Sequence, residues 1–386
     1  MDIITHQEGG LLAVNLNEFT TFLISQKGKL LKSQIKTLAA ISFAVFLVDR
    51  IGVAELGRSM KSNTTPKHNI KRVDRFLGNL RVIIKDFSRM LIGLILSALN
   101  ISRVLVAMDW TDMEDGVHQT LILGLVACGR TLPLYWRTVR KDELKNHQSQ
   151  IEAQLLRDFR EIIPADIDVV IVADRGFGYV ELCEVCQELG FHFCFRVKRK
   201  ADIVAQGFTG NLRNLDLKPG TMVDWGWILY TRSRYRVRFV TCFAFGQKDA
   251  WLLITDIEDP VGVVVACYAK RWEIEECIRD LKNERTGLSL RGVTLKTAER
   301  YDRLLLVVAV GYLFLVITGA WGEAHNEHRR IRANTVQRRT HALWKVGQYL
   351  IKRSSVKLPA LKTLFSYLCK VVPGSLAPIV IAGVSG

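Results

Sequence analysis

Two short, uninterrupted apolar runs, each closed by an aspartate, constrain this chain more than any other feature. VLVAM ends in Asp109, and VVIVA ends in Asp174. A strand without polar alternation is buried on both faces, which is the condition of a central strand in a layered α/β fold. Between them, QTLILGLVACG and LPLYWRTV are separated by Gly129 and Arg130 and predict a hairpin, followed by a helix from about Asn146 to Phe159. After the second run come another helix and the strand FHFCFRVK. The order is three strands, helix, strand, helix, strand. If the first three form a meander and the fourth pairs with the first, Asp109 and Asp174 become neighbours. Two carboxylates that close repel and raise each other's pKa, so the pair points to a cation. For either aspartate alone a strand-terminal turn or cap competes with that reading, and Asp112, Glu114, Asp115 and Asp168 are nearby carboxylates easily confused with the pair.

Downstream lies Tyr268 to Lys282, YAKRWEIEECIRDLK. Tyr268, Arg271, Glu275 and Lys282 recur at helical intervals, so a single helix would carry a phenol, a guanidinium, a carboxylate and an ammonium on one face. Such a set suits a phosphodiester beside a hard metal ion. The plainer alternative is a solvated face on which Glu275 pairs with Arg271 or Arg279.

Charge helps to choose. The chain carries a formal net charge of +16 and a pI near 9.6, which suggests a polyanionic partner or an anionic membrane surface. Both ends are basic: 14 Lys/Arg against 7 Asp/Glu in residues 1–100, and 11 against 2 in residues 321–386. Residues 196–250 are also cation-rich, leaving the rest of the middle net acidic. A local excess of carboxylates inside a basic protein is what divalent-metal chemistry on nucleic acid requires.

The N-terminal hundred residues read as helical. A buried helix in GKLLKSQIKTLAAISFAVFLVDR is broken at Gly52, VAELGRSM follows, and Pro66 opens a basic helix with Lys67, Lys71, Arg72 and Arg75. This predicts a helix-turn-helix-like DNA reader; the competing reading is a solvated basic face on a small bundle. Residues 198–248 predict short strands, with arginines alternating in RYRVRFV to make one face cationic. Trp251, opening the next apolar strand, is a candidate for stacking on an unpaired base, although burial is the commoner fate of a tryptophan. The uncharged run from Leu304 to Gly322 is long enough for a membrane span, but its glycines favour a buried helix, expected to cover the sheet. The lone C-x-x-C at Cys183 and Cys186 predicts core packing rather than metal or redox work. Scattered cysteines and no leader-like opening suggest a reducing cytoplasm.

The spacing Tyr268, Arg271, Glu275, Lys282 resembles the Tyr-Arg-Glu-Lys signature of DDE transposases of bacterial insertion sequences, specifically the fourth insertion-sequence family. The likeness extends to RW-x-IEE from Arg271, WLLIT from Trp251, MDWT around Asp109 and VADRGFG around Asp174, and covers roughly residues 100–320. It implies an α/β fold: an RNase H-like mixed-sheet catalytic core with a β-strand insertion, beside a helical N-terminal DNA-binding domain and a helical C-terminal region. The expected division is 1–98 DNA-binding, 99–195 core, 196–250 insertion, 251–325 core with the signature helix, and 326–386 basic C-terminal region. Asp109, Asp174 and Glu275 become the implied catalytic residues and ligands of two Mg²⁺ ions, with Mn²⁺ as a substitute. Tyr268, Arg271, Lys282 and Trp251 become DNA contacts. The implied activity is cut-and-paste transposition: binding terminal inverted repeats, cleaving double-stranded DNA there and joining the ends to target DNA, as a homodimer and without a membrane. An RNase H-fold nuclease lacking strand transfer and a non-catalytic DNA-binding regulator are the rival expectations.

Overall fold

The computed structural model describes residues 15–371 except 100, 114, 128, 333, 334, 354 and 355; Glu114 and the extreme ends of the chain therefore lie outside the described residues. There are two compact units, one built from residues 15–99 and 288–371, the other from residues 101–287.

The first unit is helical. It contains α1 (Leu16–Ser25), α2 (Lys32–Leu47), α3 (Val53–Ser59), α4 (Pro66–Leu77) and α5 (Ile84–Leu99). Gly52 precedes α3 and Pro66 occupies the first turn of α4, where its missing N–H costs nothing. The α3–α4 crossing is tight: a Cβ on Gly57 would lie 2.6 Å from the Ile70 Cα. The intervening turn is fastened by Asn69, whose buried Oδ1 accepts from the hydroxyls of Ser62 and Thr64, each at 2.8 Å.

The second unit is one ten-stranded mixed sheet. Its strands are β1 (Arg103–Asp112), β2 (His118–Ala127), β3 (Arg130–Arg140), β4 (Asp168–Ala173), β5 (His192–Arg196), β6 (Asp202–Ala205), β7 (Phe208–Asn211), β8 (Thr221–Tyr230), β9 (Tyr235–Phe243) and β10 (Trp251–Thr255), in the order β3-β2-β1-β4-β5-β10-β9-β8-β6-β7. β1, β2 and β3 form the antiparallel meander, and β4 is parallel to both β1 and β5. The continuous apolar runs thus occupy the centre: Val104 to Met108 and Val169 to Ala173 are all buried. Helices α6 (Lys141–Leu144), α7 (Gln148–Arg160) and α8 (Val180–Glu188) join these strands, and α9 (Val261–Ala269) and α10 (Trp272–Lys282) follow β10.

Two expectations need correction. The signature does not lie on one continuous helix: Tyr268 is on α9, whereas Glu275 and Lys282 are on α10. Lys270 and Arg271 between them keep right-handed helical dihedrals but switch to tighter hydrogen bonds, with Arg271 N donating to Tyr268 O and Ile274 N to Arg271 O. The cause is a change in the buried face, because apolar α9 packs on β4, β5, β8 and β9 while amphipathic α10 packs on β1, β2 and β3.

The second correction concerns Leu304–Gly322. This run belongs to α11 (Ala298–Ala324), which packs within the helical unit on α2, α4, α5 and the following α12 (Leu343–Ile351); α13 (Leu361–Phe365) closes that unit. It is long and apolar enough to cross a membrane, yet its apolar window is wholly buried among these helices. Its glycines are approach points. A Cβ on Gly319 would come within 1.9 Å of the Leu343 carbonyl oxygen, and one on Gly347 of α12 would come within 1.9 Å of the Leu315 oxygen.

Candidate active site

The site begins at Asp109 and Asp174. The sequence pattern closes the first strand at Asp109, but β1 stays paired with β2 as far as Asp112, so Asp109 lies inside β1 where its pairing with β4 stops, whereas Asp174 directly follows β4. Met108 and Ala173 are partners in the parallel register, so the next residues, Asp109 and Asp174, emerge together from neighbouring strands. Asp109 Oδ1 accepts the amide of Trp110 at 2.9 Å, and Asp174 Oδ1 accepts that of Gly176 at 2.7 Å. Burial pushes the Asp109 carboxyl up from its ordinary 3.8 to about 7; the charge on Asp174 adds to the rise, Arg271 and the Trp110 amide oppose it, and the charge on Glu275 adds last. Asp109 thus feels Asp174, Arg271 and Glu275 together.

Helix α10 carries four acids, and the ion pairs separate them. Glu273 pairs with Lys270 at 3.0 Å, Glu276 with Arg279 at 2.5 Å and Arg130 at 3.3 Å, and Asp280 with Arg130 at 2.5 Å. Arg130, at the start of β3, therefore pins α10 against the sheet. Glu275 pairs instead with Arg271, whose guanidinium donates to its Oε1 at 2.6 Å. This is the pair the plainer reading of the sequence anticipates, but it lies within the field of Asp109. The Arg271 Nε is buried without an acceptor, a donor available to an incoming anion.

Other expected residues are distributed as follows. Tyr268 is nearly fully buried, with its ring edge-to-face against half-buried Trp251 at a centroid separation of 4.9 Å and beneath the Arg271 guanidinium at 5.9 Å. Lys282 donates to the Thr111 hydroxyl at 3.3 Å and to the Asp112 carbonyl, anchoring the end of α10 to β1. Lys67, Lys71 and Arg75 are exposed on α4 of the helical unit, whereas Arg72 is partly covered and donates to Thr37 at 3.3 Å. Asp112 is bound to Lys141 at 2.5 Å, Asp115 to His118 at 2.6 Å and Asp168 to Arg103 at 2.8 Å, so each of these carboxylates has a structural partner. The RYRVRFV face is not uniformly cationic. Arg238 is buried, binding Asp224 at 2.6 Å and the carbonyls of Ile257 and Asp259 at 2.7 Å each. Cys183 and Cys186 are buried free thiols raised by burial, as core packing predicts.

A further group escapes sequence reasoning. Glu152 on α7 is fully buried and accepts from Trp110 Nε1 at 2.7 Å, Gln148 Nε2 at 2.8 Å and the Tyr179 hydroxyl at 2.6 Å. Trp110 follows Asp109, and Tyr179 closes the loop that begins at Asp174. One carboxylate therefore ties together both segments that present the aspartates.

Residues 104–310, just over half of the chain, match the family model of the transposase DDE domain. The chain belongs to the DDE transposase-domain family. No curated protein matches it. Membership makes the chain a nuclease or transposition enzyme with DNA as its substrate, and DDE transposase domains work with divalent metals. The donor set suits such ions: hard carboxylate oxygens, one raised chiefly by burial and further by the charge on Asp174. Among the described residues no three His, Cys, Asp or Glu side chains stand close enough to hold an ion as they are, and Glu275 is engaged by Arg271.

Proposed function

We propose that this chain is a cut-and-paste transposase of the fourth insertion-sequence family, which binds the terminal inverted repeats of its own element, cleaves the DNA there and joins the ends to target DNA. The observation that carries the reading is the emergence of Asp109 and Asp174 from adjacent parallel strands into the field of Glu275. These three would hold Mg²⁺, or Mn²⁺ in its place; the ions supply the charge stabilisation that phosphoryl transfer needs. Arg271 neutralises a phosphate, using its unpartnered Nε and releasing Glu275 as it turns from carboxylate to phosphate. Tyr268 and Trp251 form the apolar wall beneath it, against which a displaced base can stack. Lys282 steadies β1 beside Asp109. The exposed cations of α4, Lys67, Lys71 and Arg75, grip the element end, and two copies synapse two ends in the bacterial cytoplasm.

The test is a joining assay with the DNA that flanks the gene. Purified protein, Mg²⁺ and pre-cleaved ends should yield ends inserted into a target plasmid. Cleavage of intact ends without joining identifies a nuclease instead, and binding without either reaction identifies a regulator.

A further inference from the structure

Beyond Asp174 the chain enters a second feature that the foregoing chemistry does not use. The loop Arg175–Tyr179, the start of α8, the segment Lys198–Asp202 after β5 and the β8–β9 turn enclose an open groove of about 630 Å³. Four exposed cations line it: Arg175, Lys198, Lys200 and Arg232. The lining holds two carboxylates against these four cations. Asp202 accepts from Asn211 Nδ2 at 3.0 Å, and Glu181 is the only other carboxylate in the lining. None of the four cations is ion-paired with a described residue, which sets them apart from Arg130, Arg238 and Arg271.

The groove is built in advance. The buried Tyr230 donates its hydroxyl to the Gly178 carbonyl at 2.8 Å, joining the β8–β9 turn to the loop after Asp174. Gly178 lies so close to β5 that a Cβ there would be 2.6 Å from the Arg196 carbonyl oxygen. On the opposite wall Thr231 has a φ of 60°, a left-handed conformation that β-branched residues rarely adopt. It is held there by its amide on the Asp202 carbonyl at 2.8 Å and by a 2.7 Å contact between its hydroxyl and that of Ser233. Strain of this kind persists where the surroundings fix it, and here it carries Arg232 and Ser233 onto the rim.

We propose that this groove binds the phosphodiester backbone of a single DNA strand running on from the candidate active site at Asp109 and Asp174. The inference rests on the transposase reading for its direction but on the groove alone for its chemistry. Unpaired cations on a preformed wall favour polyanions. Arg175 directly follows Asp174, so the groove opens beside the candidate site and a strand leaving the site can enter it. At about 630 Å³ the groove has room for a single strand but cannot enclose a duplex. Its aromatic residues turn inward, Tyr230 to Gly178 and Tyr179 to Glu152, so they offer no stacking platform. Binding is therefore through phosphates and indifferent to base identity.

The experiment compares wild type with the triple variant Lys198→Ala, Lys200→Ala, Arg232→Ala, all exposed positions whose loss leaves the melting temperature unchanged. Fluorescence anisotropy is recorded over a range of salt with three probes: a blunt duplex, the same duplex with an oligo(dT) tail, and the same duplex with an abasic tail. Wild type should prefer both tailed duplexes equally. The variant should lose that preference, and its salt slope on tailed DNA should fall by about 2, three single-strand phosphate contacts at roughly 0.7 each. A variant that keeps the preference and slope overturns the proposal, as does wild-type preference for the dT tail over the abasic one. If the groove result holds while wild type fails to cleave or join, the functional reading fails and the groove stands.

Discussion

Replacing Glu152 by alanine should loosen the candidate site from behind. The wild-type carboxylate is fully buried and satisfies three donors at 2.6–2.8 Å, and burial raises its pKa, so only those donors keep it tolerable. In the alanine variant Gln148 is exposed and turns to water, but Trp110 Nε1 and the Tyr179 hydroxyl lose their acceptor in a half-buried setting. Each such orphan costs about 1–3 kcal/mol, so a loss of about 3 kcal/mol is expected. For a unit of this size that corresponds to a melting temperature lower by roughly 6–12 °C. Glu152→Gln is the discriminating control. Its carbonyl still accepts from Trp110 and Gln148, while its amide faces a Tyr179 hydroxyl that can rotate to accept, so stability should stay within about 1 kcal/mol of wild type. Differential scanning fluorimetry reads both, and DNA cleavage by Glu152→Ala should fall further than DNA binding. An alanine variant melting within a degree of wild type, or a glutamine variant as damaged as alanine, refutes the role given to the network.

Three further outcomes follow from the geometry. Arg271→Ala frees the Glu275 carboxylate, so calorimetric titration of the DNA-free protein should show tighter Mn²⁺ binding than wild type, although DNA cleavage falls; unchanged metal affinity contradicts the lock. In metal-free protein the raised Asp109 carboxyl works against folding: below its ordinary 3.8 both states are protonated, between 3.8 and about 7 the unfolded chain sheds a proton the folded one keeps, and above about 7 the loss is complete. Urea unfolding in EDTA should thus show stability falling across that window by at most on the order of 4 kcal/mol, with the fall absent in Asp109→Asn. Gly347→Ala puts a Cβ into the Leu315 carbonyl, so α12 must separate from α11, and the helical unit should lose roughly 1–3 kcal/mol or more by thermal melting.

How much of this was legible beforehand depends on how local the signal is. Central strands β1 and β4 are readable because burial on both faces writes itself as an unbroken apolar run, and the aspartates that close those runs follow from the same pattern; that β1 continues beyond Asp109 to Asp112 is not readable, because there it is paired on one side only, with β2. The signature spacing singles out Glu275 among four acids, whereas the engagement of Glu276 and Asp280 by Arg130 is not readable, because Arg130 is remote in sequence. The joint at Lys270–Arg271 is not readable, because both flanking segments are helical and only the strands beneath them differ. An all-round apolar helix announces burial without naming what buries it, so the sequence alone does not separate packing on the sheet from packing among helices; Gly311, Gly319 and Gly322 are the sign of close helix crossings. Glu152 sits in the polar stretch QSQIEAQ and looks solvent-facing, since its partners Trp110 and Tyr179 are remote in sequence. Arg238 misled for the opposite reason: strand alternation gives its face, but not the carbonyls and Asp224 that enclose it.

The central claim is that Asp109, Asp174 and Glu275 together perform the chemistry. Its most direct test is the rate of Mg²⁺-dependent cleavage of end DNA by Asp109→Asn, Asp174→Asn and Glu275→Gln, measured with every variant saturated with DNA. Each should bind as wild type and cleave at least about 10³-fold more slowly, because removing one charge-stabilising group from a phosphoryl-transfer site costs that much. Wild-type cleavage by any one of the three, while bound, contradicts the assignment.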